Sequence, residues 1–295
     1  MNELSPAEIT IDPVLLDNVR EKKVALFTLR LDRIHPLISG NKWFKLRYHI
    51  QHALRTEAKS ILTFGGAWSN HILATAAACK LHGLSATGLI RGERPVVLSP
   101  VLSMAADMGM ELVFLSREEY ASKTIPSTFT PDLYYLIPEG GYGEEGARGA
   151  ATITAYFPPA ITHIACAVGT GTTLAGIANA ISPGQEILGI SVLKNYTALE
   201  DAVINLLTDK SRRFSIHHEY HFGGYAKKTP ALLEFMNQLY ELSGIPTDFI
   251  YTGKLFYAIN DLIGRDYFPV GSRILIVHSG GLSGNLSLRK GSLIF

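Results

Sequence analysis

The sequence has little cysteine and little charge of either sign, and both shortages exclude classes of protein. Only two cysteines occur in 295 residues, Cys79 and Cys166. This argues against a disulfide framework and predicts buried thiols in a reducing compartment. Charged residues make up 18% of the chain and the formal net charge is +1, so no basic surface attracts nucleic acid. We therefore predict a cytoplasmic protein with no nucleic-acid partner.

Long apolar runs and a secretion signal are also missing. No uninterrupted apolar stretch reaches the roughly 18–20 residues of a membrane helix, and Met1–Val19 lacks a basic segment followed by an apolar one. The stretch His217–His221 is one residue short of the H-E-x-x-H pattern. It lies in a predicted strand, where alternate side chains face opposite ways. The sequence therefore predicts no secretion, no membrane partner and no metal site.

Short apolar runs alternate with helical patterns from Lys22 onward, within a composition that is 47% hydrophobic. Alternation of this kind predicts an α/β fold with mostly parallel, twisted sheets flanked by helices. The predicted strands are Ser60–Phe64, Ala86–Ile90, Glu111–Leu115, His163–Val168, Glu186–Val192 and Arg273–Val277. The predicted helices include Trp43–Leu54, Asn70–Leu81, one that Ser99 and Pro100 open, and stripes over 198–207 and 232–240.

A glycine-rich stretch, Glu139–Gly146, is the candidate hinge between two domains. We predict a small α/β domain over 45–150 and a large domain built from 1–44 plus 151–295. In sheets of this type, ligands bind beyond the carboxyl ends of the strands. The polar motifs of the chain follow strands or tight turns, so we expect them to meet at such an edge.

The loop Gly169–Thr173 is a candidate phosphate cup, since it joins an apolar strand to a helix. Glycines let backbone N–H groups approach an anion, threonine hydroxyls add donors, and the helix N-terminus is positive. A dinucleotide site would need a glycine where Leu174 stands and an acid after the next strand. A small phosphate monoester fits better; the alternative is a tight turn without a ligand.

Two lysines, Lys42 and Lys45, follow the turn Gly40-Asn41 at a predicted helix start. They are either solvated side chains or functional groups. Cations there oppose the helix dipole, which favours a function: a partly desolvated lysine near an anionic phosphate can act as a nucleophile.

Ser69-Asn70-His71 opens the next helix and is either an ordinary N-cap or a ligand site. Near the C-terminus, Tyr251 is placed to stack on a ring and Ser279 to face a pyridine nitrogen. Together, a lysine amine, a phosphate cup and ring partners are what pyridoxal phosphate needs.

These residues resemble a known family, the 1-aminocyclopropane-1-carboxylate deaminases and D-cysteine desulfhydrases. Its members are pyridoxal-phosphate enzymes of the tryptophan-synthase-β fold, also called fold type II. The resemblance spans nearly the whole chain. It is carried by Gly40-Asn41-Lys42 with Lys45, Ser69-Asn70-His71, Val168–Thr173, Tyr251-Thr252-Gly253-Lys254 and His278-Ser279-Gly280-Gly281.

The resemblance implies a role for each matching residue and places the cofactor in the cleft between the domains. It implies a homodimer and a small amino-acid substrate. Lys42 would be the Schiff-base lysine and Ser69 the catalytic serine, with Asn70 and His71 beside the substrate. Asn70 would also bind the cofactor O3′. The remaining implied roles are phosphate binding by Lys45, Gly169, Thr170, Gly171, Thr172 and Thr173, ring contacts by Tyr251, Thr252 and Ser279, and a second active-site tyrosine, Tyr225.

Within the family, Thr252 and Trp43 resemble the desulfhydrases, since the deaminases carry glutamate directly after the stacking tyrosine. Ile72-Leu73-Ala74 departs from the family, which usually shows polar residues there. We predict a lyase that performs β-elimination on a small D-amino acid, D-cysteine first. The alternatives are cyclopropane ring opening, a non-catalytic protein that binds pyridoxal phosphate or phosphate, and, more distantly, a nucleotide-dependent oxidoreductase.

Overall fold

The computed structural model describes residues 9–295, which form two mainly parallel sheets flanked by helices. The larger sheet has six strands in the order β1-β2-β10-β7-β8-β9. Only β1 runs antiparallel to its neighbour, β2. The strands of this sheet are β1 Ile11–Pro13, β2 Ala25–Arg30, β7 His163–Val168, β8 Glu186–Ser191, β9 Ser215–His217 and β10 Arg273–His278.

The smaller sheet has four strands in the order β5-β4-β3-β6, all parallel. They are β3 Ser60–Gly65, β4 Ser85–Arg91, β5 Met110–Leu115 and β6 Tyr134–Ile137. All four lie within the predicted small domain, and every strand of the six-stranded sheet lies outside it. The exact domain boundaries stay a prediction.

Ten α-helices join the strands over the described part of the chain. They are α1 Asp17–Glu21, α2 Asn41–Arg55, α3 Asn70–Leu81, α4 Pro100–Asp107, α5 Arg117–Ala121, α6 Glu144–Ala151, α7 Thr172–Ala180, α8 Leu199–Asn205, α9 Pro230–Ser243 and α10 Thr252–Gly264. Side-chain caps fix several starts: Ser69 accepts a hydrogen bond from the Ile72 N–H at α3, and Ser99 accepts one from Leu102 at α4.

The six predicted strands are confirmed, with ends that differ by at most one residue. β1, β2 and β6 were not predicted, and β9 was predicted only at His217. Of these four strands, β1, β6 and β9 have only three or four residues, too few for an alternating pattern to stand out. The prediction that His217–His221 is a strand is wrong beyond His217, because Glu219–His221 forms a 3-10 turn.

Small residues on α6 bring α2 and α7 close together. A side chain at Gly149 would collide with the backbone of Phe44 on α2, and one at Gly176 on α7 with the backbone of Ala147. Helices with glycine and alanine at the contact pack closely, and the first turns of α2 and α7 meet through a hydrogen bond between Asn41 and Thr173. This packing brings the two lysines of α2 to the loop before α7.

The two cysteines are buried and unpaired, as the sequence predicts. Burial raises the pKa of each thiol to about 12, so neither is a reactive thiolate. Between residues 9 and 295, no three histidine, cysteine or acidic side chains form a group that would hold a metal ion. No helix in that range is long and apolar enough to cross a membrane.

Candidate active site

A cleft opens where strand ends and helix starts of both sheets meet. Three helix starts line it, those of α2, α7 and α10, together with Asn70 of α3 and the turn after β10. The lining residues are Ser39, Asn41, Lys42, Lys45, Asn70, Gly140, Ala167–Leu174, Tyr251 and Ser279–Gly281. Most of the predicted site residues are therefore brought together.

The loop before α7 forms a cup for an anion. Gly171 takes a left-handed backbone (φ 82°) at the N-cap of α7, a conformation that suits glycine. The hydroxyls of Thr170 and Thr172 lie 2.9 Å apart, and Thr173 accepts a hydrogen bond of 2.8 Å from the Asn41 amide. Backbone N–H groups, hydroxyls and the positive helix end thus face one space.

Lys42 holds its amine in the cleft without a carboxylate in contact. Its Nζ lies 3.5 Å from Asn41 Oδ1. Loss of solvent around the amine lowers the pKa of Lys42 to about 8, against the smaller opposing effect of the Asp248 charge. A lysine with a pKa near 8 is partly neutral at physiological pH, and the neutral amine is the nucleophile.

Two further buried lysines differ from Lys42 in their surroundings. Lys45 is 2% exposed, and burial, with Lys42 adding to it, holds its pKa well below the usual value. Within residues 9–295 no acidic side chain forms an ion pair with Lys45, so an anion in the cleft would be its counter-ion. Lys254 is fully buried on α10 and donates to the His221 and Gly224 carbonyls at 2.9 and 2.8 Å, which occupies its ammonium group.

Tyr251 closes one side of the cleft over the anion cup. A Cβ at Gly169 would lie 3.3 Å from the Tyr251 ring, so the missing side chain at Gly169 leaves room for the ring. Burial raises the pKa of Tyr251 well above its usual value, which keeps the phenol protonated. Tyr225 packs edge-on against Tyr251, with ring centroids 6.0 Å apart, but is 48% exposed and lies off the cleft wall.

Asn70 lines the cleft and is held from the opposite side. Its amide donates to the Gly281 carbonyl at 2.7 Å, and its Oδ1 accepts a hydrogen bond from the Ser283 hydroxyl. Ser283 was not among the predicted site residues. These two bonds fix the orientation of the Asn70 amide.

Three other predicted residues lie off the lining of the cleft. Ser69 caps α3 and is half-buried beside Asn70. His71 is 3% exposed, and its Nε2 lies 2.9 Å from the Thr63 hydroxyl. Thr252 is fully buried and donates its hydroxyl to Asp248 at 2.8 Å. The side chains of His71 and Thr252 thus face the protein interior.

Asp248, which the sequence analysis did not predict, stabilises the start of α10. Its carboxylate accepts N–H groups of Ile250, Tyr251 and Thr252 at 2.9, 3.0 and 2.9 Å, besides the Thr252 hydroxyl. It is fully buried, and its negative charge acts on Lys42 and Lys254. It fixes the backbone that presents Tyr251.

Taken together, a partly neutral lysine, an anion cup and an aromatic wall define a site for a phosphorylated aldehyde cofactor. Comparison with known proteins agrees. Residues 13–280 match the family described as pyridoxal-phosphate dependent enzyme. The chain belongs to this family and is a pyridoxal-phosphate-dependent enzyme. The predicted alternatives of a non-catalytic binding protein and of a nucleotide-dependent oxidoreductase are therefore not supported.

Named relatives cover nearly the whole chain. One from Pyrococcus horikoshii, provisionally named 1-aminocyclopropane-1-carboxylate deaminase, is 29% identical over 96% of this chain and 92% of its own. A D-cysteine desulfhydrase from Klebsiella pneumoniae is 28% identical over 94% and 92%. A crystal structure of an ACC deaminase homologue superposes with a TM-score of 0.83, at 28% identity, over 96% of this chain and 92% of the other. The predicted fold type is confirmed.

The residues present fit pyridoxal phosphate. Lys45 forms no ion pair with an acidic side chain of the described residues. The cofactor's phosphate, beside the cup at Gly169–Thr173, would provide its counter-ion. Tyr251, Ser279 and Asn70 line the same cleft, where they offer an aromatic face, a hydroxyl and an amide to a cofactor ring. Lys42 would supply the amine for the cofactor's aldehyde.

The lowered pKa of Lys42 predicts how fast the cofactor-free protein captures pyridoxal phosphate. At pH 7 a pKa of about 8 leaves roughly 10% of the amine neutral, against about 0.03% for an ordinary lysine. We expect the capture rate, followed by absorbance of the bound cofactor, to rise about tenfold per pH unit below pH 7, about fivefold from pH 7 to pH 8, and no more than about twofold beyond that. A rise that continues to pH 10 would show that Lys42 is an ordinary solvated lysine.

The turn before Lys42 predicts a large effect of a single methyl group. Gly40 has φ 64°, and a Cβ there would overlap the Ser279 carbonyl, which accepts the Asn41 N–H at 3.1 Å. We expect Gly40→Ala to lower the free energy of unfolding by about 3 kcal/mol and to weaken cofactor binding. Urea unfolding and cofactor titration measure both.

The matched control is Gly66→Ala, because Gly66 has an ordinary backbone and open space at its Cβ position. Its unfolding free energy is expected to change by less than about 1 kcal/mol. Equal effects of the two substitutions would contradict the close approach of the two turns.

Proposed function

We propose that this enzyme is a lyase that performs β-elimination on a small D-amino acid, with D-cysteine as the leading substrate. The products would be pyruvate, ammonia and hydrogen sulfide, formed with the uptake of one water. One observation carries the proposal. The described residues lining the cleft contribute hydroxyl, amide and amine groups, and Ser279 is the neutral hydroxyl available to the ring nitrogen.

A neutral partner favours elimination over chemistry that needs a strongly electron-withdrawing ring. When bound, pyridoxal phosphate withdraws electrons from the substrate's Cα. A carboxylate would hold the ring nitrogen protonated and strengthen that withdrawal, whereas a hydroxyl does not. The desulfhydrase name of the Klebsiella pneumoniae relative supports the same substrate.

In this proposal Lys42, Tyr251 and Lys45 each have a separate role. Lys42 would hold the cofactor until substrate binds, and its amine would then accept the substrate's α-proton; the Ser69 hydroxyl is the alternative acceptor. Tyr251 remains a neutral phenol beside the ring, and the anion cup with Lys45 holds the phosphate. Thiolate leaves from Cβ, and hydrolysis of the three-carbon remainder gives pyruvate and ammonia.

Thr252 is turned away from the cleft, and its hydroxyl is bonded to buried Asp248. The family resemblance distinguishes desulfhydrases from deaminases by the residue at this position. Thr252→Glu would place a second carboxylate beside Asp248 in the interior, which is costly. The assignment therefore relies on Ser279 and the cleft lining rather than on Thr252.

Opening of 1-aminocyclopropane-1-carboxylate to 2-oxobutanoate and ammonia is the second candidate function. The name of the Pyrococcus horikoshii relative favours it. Both reactions begin with a small amino acid in the same cleft, so only the products formed from each substrate distinguish the two.

The test is product formation from D-cysteine, L-cysteine and 1-aminocyclopropane-1-carboxylate by the cofactor-loaded protein. We expect equal amounts of pyruvate and sulfide from D-cysteine, with Lys42→Ala as the background control. 2-Oxobutanoate from the cyclopropane substrate, with D-cysteine inert, would overturn the proposal in favour of the deaminase. Absence of turnover on all three would overturn both.

We propose a cytoplasmic homodimer whose cofactor lies in the cleft between a small domain over 45–150 and a large domain. We also propose that Ser69, His71, Tyr225 and Thr252 act near the substrate or the cofactor, although their side chains lie off the cleft lining.

A further inference from the structure

A second cavity of about 250 Å³ lies directly beside the cofactor cleft. Its wall includes the polar residues Asp32 and Ser283 and the apolar residues Leu37, Leu73 and Leu282. Ser39, Asn70 and Gly281 also line the cleft, so the two spaces share a wall. Water occupies about 30 Å³ per molecule in the liquid, and the cavity therefore has room for several heavy atoms.

The polar side chains around this cavity already have partners. The Asp32 carboxylate binds the Arg30 guanidinium at 2.9 and 2.7 Å. The Ser39 hydroxyl donates to the Asp32 carbonyl at 3.2 Å, and the Ser283 hydroxyl donates to Asn70. Because these groups are satisfied within the protein, they offer little to a charged ligand.

The remaining wall is apolar and comes from three separate parts of the chain. Leu37 lies in the segment before α2, Leu73 on α3 and Leu282 after β10. Leu73 is only 4% exposed. An apolar wall with paired polar groups favours a hydrocarbon group over a charged one.

Ile72 and Leu73, the two apolar residues that depart from the family pattern, have different surroundings in the structure. Ile72 packs toward Gly65 and Gly88, inside the smaller sheet's layer, and is fully buried. Leu73 instead reaches the second cavity, one helical turn from Ser69 and Asn70. Of these two apolar residues, only Leu73 is placed to affect a ligand.

We infer that this cavity is a subsite for an apolar side chain on the amino-acid substrate, with Leu73 as a specificity-determining residue. The inference deepens the proposed function and uses the same cleft. The enzyme then binds a D-amino acid with a longer unbranched side chain more tightly than it binds D-alanine. The occupant is a substrate group rather than a separate ligand because Asn70 borders both spaces.

Binding of unreactive D-amino acids tests this without turnover. D-Alanine and D-norvaline carry no leaving group and differ by two methylenes. Titration of the cofactor-loaded protein, followed by the cofactor absorbance, gives the Kd of each. Two buried methylenes at about 0.8 kcal/mol each predict that D-norvaline binds roughly 15-fold more tightly.

Leu73→Phe fills the cavity, and we expect it to reduce the ratio of the D-alanine Kd to the D-norvaline Kd to about 1. The matched control Ile72→Val is expected to leave this ratio unchanged. Leu37→Phe narrows the cavity from another wall and serves if Leu73→Phe does not fold. Equal affinity for the two amino acids in the unmodified enzyme would overturn the inference. So would a ratio that both phenylalanine substitutions leave unchanged.

The test separates failure of the subsite from failure of the proposed reaction. A 15-fold ratio that Leu73→Phe removes supports the subsite even if D-cysteine yields no sulfide. Sulfide release from D-cysteine together with a ratio of 1 overturns the subsite and leaves the lyase proposal standing.

Discussion

Replacing Lys42 with alanine is expected to lower turnover by at least about 10³-fold and to remove the absorbance of covalently held cofactor. Lys42 is the lysine whose amine faces the cleft with a pKa of about 8 and without a carboxylate in contact. Removing it takes away both the covalent anchor and the proposed proton acceptor. Steady-state assays and absorbance spectra of the cofactor-loaded variant measure the two losses.

Lys45→Ala is the matched control for Lys42→Ala, since both lysines stand on α2 and line the cleft. We expect it to weaken cofactor binding, because the phosphate loses a cation, while the covalent link still forms. Covalent cofactor in Lys42→Ala and none in Lys45→Ala would show that the two assignments are exchanged.

Asp248→Ala is expected to lower the free energy of unfolding by roughly 3–5 kcal/mol. The substitution leaves three backbone N–H groups and the Thr252 hydroxyl without their acceptor in a buried place. It also removes the negative charge nearest Lys42 and Lys254. Urea unfolding, monitored by circular dichroism, measures the loss.

The control for Asp248→Ala is Asp107→Ala, since Asp107 is exposed at the end of α4. We expect a change within about 0.5 kcal/mol. A loss at Asp248 no larger than that at Asp107 would mean that water replaces the carboxylate easily. The description of α10 as a helix start held by a buried acid would then fail.

The sequence predicts the frame of the fold well where a local signal is strong. α3 begins and ends where its pattern predicts, because Ser69 caps it and an alanine-rich run continues it. α4 starts after Ser99 with Pro100 at its first position. β7 agrees to the residue because six consecutive buried residues form it. The short edge strands β1 and β9 carry no such signal.

The candidate site is only partly readable from the sequence, because neighbouring positions in a helix point in different directions. Successive side chains turn by about 100°, so Asn70 lines the cleft whereas His71 packs on Thr63. In the same way Tyr251 lines the cleft and Thr252 turns to Asp248. A motif names the segment that approaches the cofactor but not which of its side chains do.

Asp248 shows a second limit of sequence reasoning. It stands alone between Thr247 and Phe249, with no spacing that marks it as functional. Its importance comes from burial and from the four hydrogen bonds it accepts, which exist only in the folded chain. Contacts of this kind become visible only once α10 is placed against the cleft.

Borohydride reduction of the cofactor-loaded, unmodified protein identifies the lysine that carries the cofactor, since it fixes the cofactor to that side chain and peptide mass mapping then locates the adduct. We expect the adduct on Lys42 alone, because Lys45 would pair with the phosphate and Lys254 is bonded to two carbonyls. An adduct on Lys45 or Lys254, or none, would show that Lys42 does not carry the cofactor.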